Sequence, residues 1–110
     1  MVTYVPDRGD IVWLNFDPQS GKEIKKKRPA LVVSPKAYQQ KVGLALCMPI
    51  TSKVKGYPFE VAVHSNKIEG VILADQLRSM DWKHRKATFI SKIDSSCLSE
   101  AIQKLRTLLE

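Results

Sequence analysis

Near the C-terminus the apolar residues change period. Leu98, Ala101, Ile102, Leu105, Leu108 and Leu109 recur at spacings of three and four, which sets them on one stripe of a helix while Glu100, Gln103, Lys104 and Arg106 face away. Asp94-Ser-Ser96 supplies the N-cap, and the helix runs for about four turns. An amphipathic helix must cover an apolar surface, so the rest of the chain has to provide one.

Upstream, short β-type segments alternate with turn residues. Asp10 to Asp17, Ala30 to Ser34, Leu44 to Ile50, Tyr57 to Val63, Val71 to Arg78 and Ala87 to Ile93 carry β-branched and aromatic residues between Gly, Pro, Asp and Ser. Pro58 makes the fourth an edge strand or a strand start. Pro35 to Lys41 reads as a short helical turn that Gly43 ends. Five to seven short strands and one late helix predict a β-rich α+β fold, a strongly curved antiparallel sheet or partly open barrel with the helix packed on it. Residues 1–110 read as a single domain without repeat or linker.

Charge narrows the partners. Eighteen Lys and Arg against eleven Asp and Glu leave +7, which favours a polyanion: nucleic acid, an acidic protein or, less well, a membrane surface. No run approaches a membrane span, and the N-terminus lacks signal-peptide order, so the expected location is the cytoplasm. Two cysteines make neither a disulfide framework nor a four-ligand zinc site, and Cys47, inside an apolar run, reads as a small buried hydrophobe. His64 and His84 stand apart, and the carboxylates lack ligand spacing, so neither a metal nor a cofactor is expected. Walker, Gly-x-Gly-x-x-Gly and Gly-x-Ser-x-Gly motifs are missing.

What remains is a basic loop, Glu23-Ile-Lys-Lys-Lys-Arg-Pro29, whose last cation, Arg28, is tied by a proline to the apolar run Ala30-Leu-Val-Val33. A solvated basic turn is the bland reading, and a phosphate site at the mouth of a strand is the functional one. RNA phosphodiester cleavage suits so small an inventory, because the 2′-hydroxyl is its own nucleophile. The enzyme must orient it, move protons and stabilise a charged phosphorane. A planar, permanently charged guanidinium serves the last task.

The ordered blocks Gly9-Asp-Ile-Val-Trp13, Asp17-Pro18, Gly21-Lys-Glu23, Arg28-Pro-Ala-Leu-Val-Val-Ser34, Pro49-Ile-Thr-Ser52, Gly56-Tyr-Pro-Phe-Glu60 and Leu73-Ala-Asp-Gln76 resemble the MazF/PemK family of toxin endoribonucleases. The resemblance implies an SH3-like curved sheet with a C-terminal helix, a homodimer, metal-independent cleavage of single-stranded RNA, and an acidic, partly disordered antitoxin that blocks the site. It also implies that Arg28 and Thr51 are the catalytic pair. Two other classes are a non-catalytic RNA-binding module, for which eight aromatics in all are few, and a topoisomerase-poisoning toxin of the same fold, which lacks the Arg-Pro and Pro-x-Thr pairing.

Within this reading Arg28 stabilises the phosphorane. Thr51 either hydrogen-bonds the scissile phosphate or satisfies a backbone group at a strand end. Glu23 is either the base that accepts the 2′-hydroxyl proton or an ion-pair partner that poses Arg28. Lys53 and Lys55 are set against backbone phosphates, their alternative being solubility. Asp75 and Gln76 either read base edges or cap a turn. Arg78 and Arg85 add cations; Trp82 is a stacking platform or a core or dimer-interface residue, and Trp13, with the same core and interface alternatives, is assigned to the core. Family members often carry a glycine close before the catalytic arginine, where this chain has Lys25, Lys26 and Lys27, cations that would draw RNA and the antitoxin to one patch.

Overall fold

The computed structural model describes residues 4–16, 27–65 and 67–110. Among these, the strands are β1 (Asp10–Asn15), β2 (Lys27–Val32), β3 (Ala45–Thr51), β4 (Glu60–His64), β5 (Glu69–Leu73), β6 (Arg78–Met80) and β7 (Thr88–Lys92), with helices α1 (Lys36–Val42) and α2 (Ser95–Thr107). All strand pairs are antiparallel, in the order β4-β5-β3-β2-β1-β7. Strand β3 shares one edge between two partners, β6 along Ala45 to Cys47 and β5 at Ile50 and Thr51. A sheet so shared must curl, and it forms a half-barrel with α2 packed on it.

The curl leaves strands β1 and β2 between two cores. Ile11, Leu31, Met48, Ile50 and Ile72 face α2 and pack with Ala101, while Val12, Leu14, Ala30, Val32, Cys47, Met80 and Trp82 form the other cluster. Ile11, Val12 and Leu14 are each fully buried. A strand covered on both faces loses polar alternation, which explains the nearly continuous apolar runs in β1 and β2.

Several sequence expectations shift. The segment from Val71 to Arg78 is two strands, because Ala74 and Asp75 turn and Gln76 and Leu77 follow without strand structure before β6. Strand β2 starts at Lys27, so Arg28 lies inside a strand and not at its mouth. On α2, Leu98, Ile102 and Leu105 pack on the core as their spacing required, but Leu108 and Leu109 extend past it and remain 51% and 74% exposed. Lys104 does not face away: its Nζ donates to the carbonyls of Pro58 (2.6 Å) and Glu60 (3.1 Å). Of the two tryptophans, Trp82 takes the core alternative and Trp13 departs from its core assignment. Trp13 is 36% exposed, whereas Trp82 is buried in the second core. Gly43 ends α1 as expected, in the left-handed conformation that favours glycine, at φ 84°. Asp94 caps α2 by backbone geometry; its carboxylate accepts from the Ser96 hydroxyl, the main cause of its lowered pKa.

Candidate functional site

Two prolines open the site. Pairing between β2 and β3 runs from Val32↔Cys47 through Leu31↔Met48 to Ala30↔Pro49, and Pro29 stands at the next position. Proline has no N–H to donate, so a ladder between central strands stops where prolines fill it. Beyond this stop, still inside their strands, come Arg28 and Thr51. Both prolines and both of these residues line a groove of about 540 Å³. Arg28 and Thr51 therefore face one opening across strands that the prolines have unzipped.

The groove gathers three of the other cations singled out in the sequence. Lys53, Lys55 and Arg78 line it with Gln76, alongside two carboxylates, Glu60 and Glu69. Arg78 lies over the Phe16 ring at 5.5 Å from its centroid, a cation–π contact that fixes the guanidinium at the rim. Asp75 is not among the lining residues, but it accepts a hydrogen bond from the Tyr57 hydroxyl at 2.6 Å, and Tyr57 does line the groove. That bond raises the Tyr57 pKa above its ordinary value. Arg85 is placed elsewhere. Its Nη1 donates to the carbonyls of Asn15 (3.1 Å) and Phe16 (2.9 Å), so it clamps the end of β1 and is not a groove cation. Glu23, Lys25 and Lys26 lie outside the described residues, and Lys27 is exposed at the start of β2.

Thr51 has the structural one of the two roles considered for it, and its geometry leaves room for the other. Its Oγ1 accepts the Lys53 amide at 3.1 Å, the local satisfaction expected at a strand end. A hydroxyl has one proton and two lone pairs, so accepting that amide leaves its O–H able to donate to an anion in the groove. Gly70 holds this peptide in place. A Cβ at position 70 would collide with the Thr51 carbonyl oxygen, and φ is +151° there, a backbone region that favours glycine. The cysteines offer no competing nucleophile: burial pushes the Cys47 thiol up to about 12 and the Cys97 thiol to about 11.

A sequence profile described as "PemK-like, MazF-like toxin of type II toxin-antitoxin system" matches residues 7–109. The chain belongs to this toxin family. Its similarity to named family members is high: it is 51% identical over 85 residues to the endoribonuclease toxin MazF of Escherichia coli K12, which covers 77% of each chain. The crystal structure of MazF from Deinococcus radiodurans superposes with a TM-score of 0.87 at 48% identity, covering 97% of this chain and 98% of that one. A MazE–MazF complex from the same organism superposes at 0.86 and 44% identity, with 97% of each chain covered. The curled sheet and C-terminal helix are therefore those of MazF toxins.

Phe16, Tyr57, Glu60 and Gly70 carry parts of this toxin's groove that no reading of the sequence assigned them. For Glu60 a signal was present, since a carboxylate four residues after a turn glycine is placed to accept that turn's amides. For Gly70 there was none, because what it must avoid lies on another strand.

Proposed function

We propose that this toxin is an endoribonuclease that cuts single-stranded RNA, mRNA included, at short sequence motifs and thereby inhibits translation and growth. The observation that carries the reading is the placement of Arg28 and Thr51 across the proline gap in one groove that also holds Lys53 and Lys55. In the reaction a 2′-oxygen attacks the adjacent phosphorus as its proton leaves, the bond from phosphorus to the 5′-oxygen breaks, and that oxygen takes up a proton. The products are a 2′,3′-cyclic phosphate and a 5′-hydroxyl. Arg28 donates to the phosphorane oxygens and Thr51 Oγ1 to the scissile phosphate, charge stabilisation by groups already in position. Glu23 is the carboxylate assigned to the 2′-hydroxyl proton.

Lys53, Lys55 and Arg78 bind the RNA backbone, and Gln76 reads a base edge. Asp75 reads bases through Tyr57, whose hydroxyl it holds. The chain 1–110 acts as one domain in the cytoplasm, where its substrate is found. No helix among the described residues is long and apolar enough to cross a membrane. Its protein partners are an acidic antitoxin of the MazE kind, which competes with RNA for the cationic groove, and a second copy of the chain. Trp13 and Phe89, 36% and 48% exposed, are apolar surface for that second copy to cover. A monomeric mass by light scattering at micromolar concentration overturns the homodimer.

The test of the activity incubates the purified protein with a long single-stranded RNA in EDTA and maps the new 5′ ends. Discrete cuts bearing 5′-hydroxyls are expected. No cuts, or cuts that chelation abolishes, overturn the reading.

A further inference from the structure

Between the end of β3 and the start of β4 the chain crosses the groove as an arm, Ser52 to Phe59, which is not part of a strand ladder. Two lysines assigned to RNA, Lys53 and Lys55, sit on it. An unpaired arm of this length is free to adopt many conformations, and a lysine on it is then a mobile charge, not a placed one.

The arm is tied at the Lys53 N–H by Thr51 Oγ1, at the Tyr57 hydroxyl by Asp75 and at the Pro58 carbonyl by Lys104 Nζ, and between these points Lys55 and Gly56 have a fastening of their own. Glu60 presents both carboxylate oxygens to consecutive backbone amides, Oε2 to the Lys55 N–H at 2.8 Å and Oε1 to the Gly56 N–H at 2.9 Å. The positive φ of Gly56, 82°, redirects the chain that follows it, and Glu60 lies four residues further on. The Glu60 backbone is itself fixed by pairing with Leu73 of β5 and by Lys104 of α2 donating to its carbonyl. Rigid elements thus hold a carboxylate that holds the arm.

We infer that Glu60 is a positioning residue that sets Lys53 and Lys55 over the Arg28 and Thr51 gap, so that RNA binds lysines already in place. The inference rests on the RNA-cleaving reading of the groove and deepens it. It carries a sign that a simple charge effect cannot imitate. A carboxylate beside bound RNA repels it, so removing the charge alone tightens binding and lowers KM. Removing a fastener does the opposite, because the ordering of the arm is then charged against RNA binding.

Glu60→Gln keeps the side chain's size and leaves one acceptor for two amides. With a fluorescent RNA oligonucleotide, Glu60→Gln is expected to raise KM on the order of tenfold with a much smaller change in kcat, the pattern of lost uniform binding. A lower or unchanged KM overturns the inference. A measurement on the wild-type protein stands apart from cleavage and from the folding of any variant. By amide hydrogen exchange, Lys55 and Gly56 are expected to exchange more slowly than an open loop of the same sequence; exchange at the open-loop rate overturns the inference. If the wild type fails to cut RNA while these amides are protected, the proposed activity fails and the fastening stands.

Discussion

Val12, Ala30, Cys47 and Met80 close one end of a sheet face, and Phe16, Arg28, Thr51 and Arg78 open the other, although both sets come from β1, β2, β3, β6 or their ends. The first set is at most 1% exposed. The second lines solvent-accessible space with two guanidiniums. Two residues on β2 and β6, and four on β1 and β3, separate the packed set from the groove set, and the prolines at 29 and 49 mark the border. On the closed side each strand residue has ladder partners and apolar neighbours. On the open side a cation can stand at a fixed backbone position with no apolar layer over it, which a phosphate ligand requires.

The comparison predicts that mutations on the two sides separate stability from activity. Met80, 1% exposed at the closed end, gives the largest effect: Met80→Ala is expected to cost about 2–5 kcal/mol in a urea titration, with cleavage per folded molecule little changed. If activity per folded molecule falls with it, the two ends are not separable. Arg28→Ala sharpens the contrast from the other side. It is expected to lower the cleavage rate by on the order of 10²–10³ while the melting temperature holds, as when one preorganised charge-stabilising donor is lost. A near-normal rate would return Arg28 to a binding or solubility role.

The smallest effect separates two cations that the sequence treated alike. Lys53→Ala is expected to reduce the slope of log affinity against log salt by roughly 0.7, the share of one phosphate contact on a single strand. Arg85→Ala should leave that slope unchanged and cost about 1–3 kcal/mol, because its guanidinium serves the carbonyls of Asn15 and Phe16. A slope that falls equally in both variants would place Arg85 on the RNA.

Much of this was legible along the chain because it rests on local chemistry. The helix stripe at Leu98, Ile102 and Leu105 is set by the helical period, and each described strand overlaps an apolar segment read as a strand, β1 and β7 lying wholly inside theirs and β5 and β6 sharing one. Arg28 and Thr51 were singled out by ordered motifs, and the structure places them in one groove. The errors share one cause. Trp13, Lys104 and Arg85 are residues whose surroundings come from distant segments: Arg85 meets carbonyls some 70 positions earlier, and Lys104 meets carbonyls 44 and 46 positions away. A pattern read along the chain cannot say which of two tryptophans the curled sheet will cover.

By itself the sequence determined the element types, the net positive field and the family, because propensity, period and motif are properties of neighbouring residues. Only the tertiary structure decided which charges share a groove. Pro29 read along the chain was an anchor for Arg28; one position past the Ala30↔Pro49 pair it is also the point where β2 and β3 part. Glu60 in sequence was one carboxylate among eleven acidic residues. In the fold it alone among the groove carboxylates takes two backbone amides of the arm, a role that depends on a turn closing in space and leaves no mark in composition.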